Sequence, residues 1–253
     1  MDLKLKGLKV IVTGGTKGIG RSIAETFAQE GANVAICARD GKAVGEMVAA
    51  LEQYGVDATG GAVDVADSVA LKDWVHSVGA EWGGLDVVVA NVSALAIGND
   101  EESWQREFQT DMMGTVHLVD AAMPFLEVSK VASIVAISSV SGREIDFAAG
   151  PYGAFKAALV HYTQGLAYQL AGKGIRVNAV SPGNIYFEGG VWERIHLNDP
   201  KLYAEALSLN PTGRMGKPCE IGKAVAFIAS PAASFISGTN LVVDGALTRG
   251  VQL

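Results

Sequence analysis

Short apolar segments alternate with longer segments of helical character along most of the chain. The apolar segments are rich in Val, Ile and Ala, which is typical of strands that are buried on both faces of a parallel sheet. Alternating strands and helices predict right-handed crossovers, so we expect an α/β fold with one doubly wound parallel sheet and helices on both faces. The pattern predicts strands at Leu8–Thr13, Asn33–Ala38, Ala58–Val63, Leu85–Ala90, Ser133–Ile137, Ile175–Val180 and Leu241–Val243, and helices at Gly18–Glu30, Lys42–Gln53, Ser68–Trp82, Glu102–Glu127 and residues 152–171.

The segment at residues 184–211 departs from this alternation. It is long, mixed in character and aromatic, with Tyr186, Phe187, Trp192 and Tyr203. An insertion of this size in a compact α/β fold usually has a function, so we expect a lid over a substrate site. Because no linker, repeat or low-complexity tract interrupts the sequence, we expect residues 1–253 to form a single domain.

The composition disfavours several classes of protein. The chain has 253 residues, 49% of them hydrophobic, which is enough to bury a large core and argues against disorder. With 20 Lys and Arg against 27 Asp and Glu, the net charge of −7 disfavours nucleic acid and anionic membranes as partners. No apolar run is long enough to span a bilayer, and the N-terminus lacks the apolar core of a signal peptide. Only Cys37 and Cys219 are present, so we expect a reducing compartment, the cytoplasm.

A glycine-rich loop joins the first predicted strand to the first predicted helix. Residues 13–20 read TGGTKGIG, which places Gly14, Gly18 and Gly20 where the backbone must turn and approach a ligand closely. The helix that follows presents free N–H groups and the positive end of its dipole, which together favour a pyrophosphate. The spacing differs from the common G-x-G-x-x-G fingerprint and from a P-loop, but its position after the first strand predicts a dinucleotide-binding site.

The end of the second predicted strand bears on which dinucleotide binds. Many NAD-binding domains place an acidic side chain here, on the ribose 2′-hydroxyl, whereas this chain has Ala38 followed by Arg39. A guanidinium suits a 2′-phosphate, and Lys17 in the glycine-rich loop would add a second positive charge. These residues favour NADP(H) over NAD, although Asp40 remains an alternative acidic ligand one residue later.

A second group of residues has the character of an acid–base site. Tyr152 and Lys156 are four residues apart, so on a helix they share one face. A nearby ammonium stabilises a phenolate and lowers the tyrosine pKa toward the range in which the phenol can exchange protons at neutral pH. Ser138 and Ser139 end an apolar strand, at the edge of an α/β sheet where ligands bind, and a hydroxyl there could hydrogen-bond a carbonyl.

Together these motifs resemble the short-chain dehydrogenase/reductase family, whose fold is Rossmann-like. The resemblance extends from Thr13 to Gly245, with every motif in order. It includes the family's T-G-x3-G-x-G loop at residues 13–20, the Ser139 and Tyr152 separation of thirteen residues, Tyr-x-x-x-Lys, the segment NAVSPG at residues 178–183 and VDG at residues 243–245. The resemblance implies that the whole chain is one dinucleotide-binding and catalytic domain.

The resemblance also implies roles for individual residues. Tyr152 would exchange the proton of the reacting oxygen, Ser139 would polarise the carbonyl, and Lys156 would lower the tyrosine pKa and hold the nicotinamide ribose. The catalytic residues implied are Ser139, Tyr152, Lys156 and Asp111, and the cofactor contacts implied are Gly14, Thr16, Lys17, Gly18, Ile19, Gly20, Arg39, Asp64, Val65, Asn91, Tyr152, Lys156, Pro182, Gly183 and Ile185.

Three positions depart from the family pattern. Asn-Ala-Gly is replaced by Asn91-Val92-Ser93, whose added side chains could crowd the cofactor or reshape the floor of the pocket. The catalytic asparagine of the long helix aligns with Asp111, which adds a negative charge near Lys156 and could raise the lysine pKa. The threonine that often contacts the cofactor amide is replaced by Phe187, so the amide needs another partner, such as the backbone of Ile185.

These observations predict an oxidoreductase that transfers hydride between NADP(H) and a ketone or secondary alcohol. Phe147 and the aromatic residues of the lid favour an apolar, ring-containing substrate. One alternative is reduction of a 3-oxoacyl thioester on an acyl carrier, which the net charge of −7 does not favour because such a carrier is acidic. The other is a cofactor-binding regulator with weakened catalysis, which the departures at Asp111 and at residues 92–93 would explain.

The helix after Tyr152 is also informative about assembly. It is uncharged from Ala157 to Gly172, which predicts burial on more than one side. The family often uses this helix as a subunit interface, so the resemblance implies a homotetramer or a homodimer, and the alternative is that the helix is covered within the monomer. The four histidines are scattered without ligand spacing, so we expect no metal site.

Overall fold

The computed structural model describes residues 1–250 and shows seven parallel strands in one sheet, in the order β3-β2-β1-β4-β5-β6-β7. The strands are β1 (Lys9–Thr13), β2 (Asn33–Ala38), β3 (Ala58–Ala62), β4 (Val87–Ala90), β5 (Ser133–Ile137), β6 (Arg176–Pro182) and β7 (Asn240–Val243). The helices are α1 (Gly18–Gln29), α2 (Gly41–Glu52), α3 (Ser68–Trp82), α4 (Glu101–Glu107), α5 (Gly114–Leu126), α6 (Pro151–Leu170), α7 (Val191–Asn198), α8 (Pro200–Ser208) and α9 (Pro218–Ala229). The predicted doubly wound α/β sheet is confirmed.

The strand order reverses between β1 and β4, because the chain builds β2 and β3 on one side and then crosses to the other. Ligands of open α/β sheets bind outside the carboxyl ends of the strands at such a reversal. The central strands are buried throughout, whereas the two edge strands β3 and β7 are partly exposed. The continuous apolar pattern therefore belongs to the strands in the middle of the sheet.

Two apolar layers cover the sheet. On one face, side chains of α1, α2 and α9 pack with the strands, and Phe27 and Ile221 are fully buried there. On the other face, side chains of α3, α5 and α6 form the second layer, around Leu71 and Leu118. Gly222 lets α9 approach α1 closely, since a Cβ there would lie 2.6 Å from Thr26 Oγ1. Among residues 1–250, no helix is both long and apolar enough to cross a bilayer.

Three segments differ from the predicted pattern. Residues 184–211 contain α7 and α8, whose apolar side chains gather around Trp192 and Ala206 in a small cluster of their own. Helix α9 lies in a region to which the alternation assigned no element. The predicted helix at Glu102–Glu127 is interrupted at Phe108–Met113 by a π-helical turn, a feature that is frequent at functional sites.

Candidate active site

The glycine-rich loop follows β1 and is held by backbone contacts that leave no room for side chains. Gly14 has a φ of +67°, and its N–H donates to the Cys37 carbonyl oxygen at 2.8 Å. A Cβ on Gly20 would lie 2.1 Å from the Gly14 carbonyl oxygen and 2.3 Å from Asn91 Nδ2. Glycine is therefore required at both positions for the loop to fold back on the start of α1.

Asn91 connects this loop to the end of β4. Its side-chain amide donates to the carbonyl oxygens of Thr13 at 3.0 Å and Gly14 at 3.3 Å. Its backbone N–H donates to Thr13 Oγ1 at 3.1 Å. Asn91 thus fixes the shape of the loop from the neighbouring strand, where the resemblance had implied a cofactor contact. The adjacent Val92 lies at the floor, with Cγ2 3.0 Å from the position of a Cβ on Gly14.

The N-terminus of α1 has the character of an anion site. Lys17 is the N-cap residue in an extended conformation, and within the described chain no side chain caps this helix. First-turn N–H groups that no side chain caps are available to an anion at the positive end of the helix dipole. Ring atoms of Phe187 lie 2.5 Å from the position of a Cβ on Gly18, so this aromatic ring covers the loop. The half-buried Thr16 belongs to the same turn.

The end of β2 carries two candidate ligands of the cofactor ribose, Arg39 and Asp40, which differ in whether they already take part in a helix cap. Arg39 and Lys17 are both exposed side chains. Asp40 caps α2, because its Oδ1 accepts from the N–H groups of Lys42 at 3.0 Å and Ala43 at 3.2 Å. An aspartate engaged in this way is a poor ribose ligand, so the geometry favours Arg39 over the alternative at Asp40.

The end of β3 supplies the next wall of the crevice. Asp64 is exposed, and its Oδ1 accepts from the Ala66 N–H at 3.0 Å. Val65 is buried, and its Cγ2 lies 3.0 Å from the position of a Cβ on Gly114. Glycine at 114 therefore lets α5 pack directly on this segment.

Ser139 and the start of α6 meet at the carboxyl end of β5. Gly142 and Gly153 make this approach possible, since a Cβ on Gly142 would lie 2.7 Å from the Ala157 nitrogen and one on Gly153 would lie 2.9 Å from the Ser141 carbonyl oxygen. The Ser139 hydroxyl accepts from the Ser141 N–H at 3.1 Å. The structure thus brings Ser139 together with the first turns of α6.

Lys156 is 2% exposed, an unusual position for an ammonium group. Its Nζ donates to the Ile137 carbonyl oxygen at 3.0 Å and lies 5.6 Å from the centre of the Tyr152 ring. Its own carbonyl oxygen accepts from the Ser138 hydroxyl at 2.8 Å. These contacts fix the lysine between the end of β5 and the tyrosine.

The environment of Tyr152 contains groups that raise the pKa of its phenol and groups that lower it. Burial raises the pKa of Tyr152, while the Lys156 charge and a hydrogen bond with Ser139 lower it. Asp111 and Glu107 oppose the lysine, and the resulting pKa lies above the ordinary value. The expected effect of the lysine is thus present, but burial outweighs it and keeps the phenol protonated.

Asp111 contacts Lys156 directly, so its negative charge lies next to the lysine, as its place in the sequence had predicted. The Lys156 Nζ to Asp111 Oδ2 distance is 2.9 Å, and neither side chain is exposed. Asp111 Oδ1 accepts from the Ala94 N–H at 2.8 Å. Burial alone would lower the pKa of Lys156, but the charges of Asp111 and Tyr152 raise it above its ordinary value, so the lysine stays charged.

Glu107, which the sequence analysis missed, is the other buried carboxyl of this site. It is 0% exposed, and its Oε2 accepts from the Ala96 N–H at 2.8 Å. Its Oε1 accepts from the Ser93 hydroxyl at 3.4 Å. The spacing of Glu107 and Asp111, four residues apart on one helix, was a signal that could have identified the pair.

The segment after β6 closes the crevice on the other side. Pro182 ends β6, and a Cβ on Gly183 would lie 2.7 Å from the Asp244 Cβ, so glycine is needed where the two chain segments cross. Ile185 is 6% exposed and forms an isolated bridge with Gly216. Its backbone is thus held by the segment that precedes α9.

Apolar side chains surround the mouth of the crevice. Phe147, in the loop after β5, and Trp192, in α7, form a T-shaped pair with ring centres 5.6 Å apart. Several large apolar side chains of the loops after β4 and β5 are exposed there: Leu95, Ile97, Ile145 and Phe147. This mouth fits an apolar molecule better than a charged one.

A second concave region lies farther out, beside α8. This open cavity of about 520 Å³ is lined by Tyr186 and Tyr203 with the cations Arg214 and Lys217. The His196 and Tyr203 rings stack with centres 4.2 Å apart, and Arg214 forms an ion pair with Glu220 at 2.6 Å. The cavity combines aromatic and basic character, but the acid–base residues are not part of its lining.

Comparisons with known proteins agree with this fold. The sequence model described as "Enoyl-(Acyl carrier protein) reductase" matches residues 14–248. The chain is 42% identical to isoepoxydon dehydrogenase of Penicillium expansum over 253 residues, covering 98% of this chain and 97% of that protein.

Two solved structures are also similar. The structure of L-sorbose reductase from Gluconobacter frateurii, complexed with NADPH and L-sorbose, superposes with a TM-score of 0.90 and 28% identity, covering 99% and 100% of the two chains. The structure of 7α-hydroxysteroid dehydrogenase, complexed with NADH and 7-oxo glycochenodeoxycholic acid, superposes with a TM-score of 0.89 and 28% identity, covering 97% and 96%. The chain belongs to the short-chain dehydrogenase/reductase family and is an oxidoreductase of that family.

Proposed function

We propose that the protein is an NADP(H)-dependent oxidoreductase that interconverts a ketone and a secondary alcohol, with Tyr152 as the acid and base. The observation that carries this proposal is the arrangement of Ser139, Tyr152 and Lys156 at one end of the sheet. The glycine-rich loop reaches the same edge through Asn91. The fold thus gathers an anion site and an acid–base site in one crevice.

The residues of the site divide the work on the substrate. Ser139 positions and polarises the carbonyl oxygen through its hydroxyl, and the protonated Tyr152 gives that oxygen a proton. Lys156 stabilises the phenolate that remains, because its charge already lowers the pKa of Tyr152. When a nicotinamide cofactor is bound, it supplies or accepts the hydride at the carbonyl carbon.

The residues of the crevice fit a dinucleotide. Gly14 and Gly20 let the loop fold back closely on the start of α1, and the first turn of α1 offers its N–H groups to a pyrophosphate. Arg39 and Lys17 are exposed beside it, while Asp40 is engaged in a helix cap, which favours NADP(H) over NAD. Relatives are known with NADPH and with NADH, so this preference depends on the chain's own residues.

The apolar mouth favours a ring-containing or otherwise apolar ketone as substrate. Phe147 and Trp192 flank the entrance, and we infer that residues 184–211, with α7 and α8, act as the lid over it. The similar structure named as a hydroxysteroid dehydrogenase supports a ring-bearing substrate, because a steroid is a fused-ring compound. A 3-oxoacyl thioester remains the alternative substrate and belongs in any panel that is assayed.

One helix face also supports assembly into a homotetramer or a homodimer. The α6 side chains Ala154, Ala157, His161 and Tyr168 are exposed in the isolated chain, and Tyr168 is 90% exposed. This uncharged face is therefore not covered within the monomer. We propose that a second copy of the chain covers it.

The chemistry is tested by NADPH oxidation with a panel of cyclic ketones, steroids, sugars and acyl thioesters. We expect Tyr152→Phe to reduce kcat at least about 100-fold, as for loss of a general acid. Tyr168→Phe on the same helix is the matched control and should retain activity. NADPH binding without turnover of any substrate would favour the cofactor-binding regulator instead.

A further inference from the structure

Two carboxyl groups lie buried behind Lys156, although the acid–base reaction uses neither directly. Glu107 ends α4 and Asp111 lies in the π-helical turn that follows, and both side chains are 0% exposed. The two carboxyls accept from backbone N–H groups two residues apart in one loop, Ala94 to Asp111 and Ala96 to Glu107, each at 2.8 Å, so they lie side by side. Two adjacent carboxylates repel each other strongly in a buried site, which favours retention of a proton by one of them.

The charges of the cluster balance only if the pair holds one proton. Lys156 is one positive charge, at 2.9 Å from Asp111, while the two carboxyls would bring two negative charges if both ionised. Ala94 and Ala96 each donate one backbone N–H to the pair. These two donors stabilise one negative charge without supplying a second cation.

The Ser93 side chain links the pair to a more exposed region. Its hydroxyl donates to Glu107 Oε1 at 3.4 Å and accepts from the Leu95 N–H at 3.1 Å. Ser93 is half-buried and Leu95 is 44% exposed, so this hydroxyl stands between the buried pair and solvent. The departure from Asn-Ala-Gly at residues 91–93 therefore supplies a polar group where the pair needs one.

We propose that Glu107 and Asp111 hold one shared proton, and that this proton resupplies Lys156 when the lysine has passed its own toward Tyr152 during carbonyl reduction. The inference rests on the proposed function. Glu107 is a positioning residue in this scheme, since it acts through Asp111 and Lys156 rather than on the substrate.

The proton balance of the scheme is complete. The Tyr152 O–H bond breaks as the substrate gains its hydroxyl proton, while a reduced nicotinamide supplies the hydride. An N–H bond of Lys156 breaks as Tyr152 is protonated again, and the shared carboxyl O–H bond breaks as the lysine regains its proton. A solvent proton then restores the pair by way of Ser93.

The groups around Glu107 favour its protonated form up to near neutral pH. Burial, the charge of Asp111 and its hydrogen bond together raise the pKa of Glu107 to about 7, against the Ala96 N–H and Lys156, which lower it. The charged groups that act on it are thus Asp111 from its own helical segment and Lys156 from α6, and the charge of Glu107 in turn raises the pKa of the Tyr152 phenol.

The shared proton is tested by infrared spectroscopy of the cofactor-free protein, where a protonated carboxyl gives a C=O band that a carboxylate lacks. We expect this band at pH 6, with a loss midpoint at about pH 7. It should be absent in Glu107→Gln and retained in Glu102→Gln, an exposed control on the same helix. Absence of the band from the unaltered protein at pH 6, or its persistence in Glu107→Gln, would overturn the shared proton.

A second variant keeps the test valid if Glu107→Gln does not fold. Asp111→Asn removes the neighbouring charge while keeping the size of the side chain. We expect the midpoint of the Glu107 band to fall by at least one pH unit, a tenfold change in proton affinity. An unchanged midpoint would show that Asp111 does not share the proton.

Resupply of Lys156 is tested by the pH dependence of ketone reduction. We expect kcat of the unaltered enzyme to fall as pH rises through the midpoint of the infrared band. Glu107→Gln should lower kcat at least tenfold, leave KM unchanged and abolish that pH dependence. If Glu107→Gln left kcat and its pH profile unaltered while activity still required Tyr152, the resupply of Lys156 would be overturned. The proposed function would not be affected by that result. The infrared result needs neither cofactor nor substrate, so it stands or falls separately from the proposed function.

Discussion

The buried Glu107 carboxyl makes the stability of the protein depend on pH in an unusual direction. Its pKa is raised from 4.5 in the unfolded chain to about 7 in the folded protein, mainly by burial. Between these values the folded protein binds more protons than the unfolded chain. The free energy of unfolding therefore falls as pH rises from about 5 to about 8, whereas a carboxylate with a lowered pKa would increase it.

The size of this effect follows from the change in proton affinity. Each tenfold change corresponds to about 1.4 kcal/mol, so a pKa that rises from 4.5 to about 7 makes the ionised side chain unfavourable by about 3 kcal/mol. Glu107→Gln resembles the protonated side chain, since its amide oxygen can still accept from the Ala96 N–H and its amide can donate to Asp111. We expect the stability of the variant relative to the unaltered protein to increase by about 2.5 kcal/mol between pH 5 and pH 8.

The assay is urea unfolding, followed by circular dichroism, at several pH values between 5 and 8. Glu102→Gln is the control, because its exposed carboxyl should leave the pH dependence unchanged. The quantity compared is the difference in the free energy of unfolding between variant and unaltered protein at each pH. The contributions of the other titrating groups are common to both proteins and cancel in this difference. A difference that stays constant across this range, or that favours the unaltered protein at pH 8, would refute the reasoning.

Three further predictions concern the cofactor, the assembly and the fold. Arg39→Ala should weaken NADPH binding by about 10- to 100-fold, as for loss of a charged hydrogen bond, while NADH binding measured by fluorescence stays nearly unchanged; equal losses would contradict the 2′-phosphate contact. Tyr168→Glu should lower the mass found by light scattering from that of a tetramer or dimer toward the 26.3 kDa monomer. The control Tyr54→Glu, at an exposed tyrosine outside α6, should leave this mass unchanged. Arg176→Met should lower the free energy of unfolding by about 3 kcal/mol, because the guanidinium donates to four carbonyl oxygens around the end of α9, while Arg21→Met changes it by less than about 1 kcal/mol.

The sequence predicted the sheet well because its central strands are buried on both faces. In a run such as SIVAI at residues 133–137 the four residues after Ser133 are all apolar, so its burial could be recognised without knowing its neighbours. The edge strand β3 was also found, although its sequence ATGGA is partly exposed, because it occupied the expected place in the alternation. Helix α9 was not assigned, since it follows the irregular segment at which the alternation is lost.

The site was predictable only where its chemistry depends on local spacing. Tyr152 and Lys156 are one helical turn apart, so the pattern alone placed them together. The choice between Arg39 and Asp40 remained open because the cap on α2 that occupies Asp40 is a feature of three-dimensional geometry. Glu107 was missed for the same reason, since its burial results from the packing of the loop after β4 against α4 and the π-helical turn.

Glu107 and Asp111 are better understood as one arrangement than as two independent residues. Asp111 alone would neutralise Lys156 and remove much of the effect by which the lysine stabilises the phenolate of Tyr152. An ionised Glu107 would leave the buried cluster with a net negative charge and raise the pKa of Tyr152 further. A protonated Glu107 avoids this second charge and offers a hydrogen bond to Asp111, which weakens the pull of that carboxylate on the lysine. The aspartate is therefore compatible with catalysis only while its neighbour keeps a proton, so the activity and the titration of Glu107 should change together.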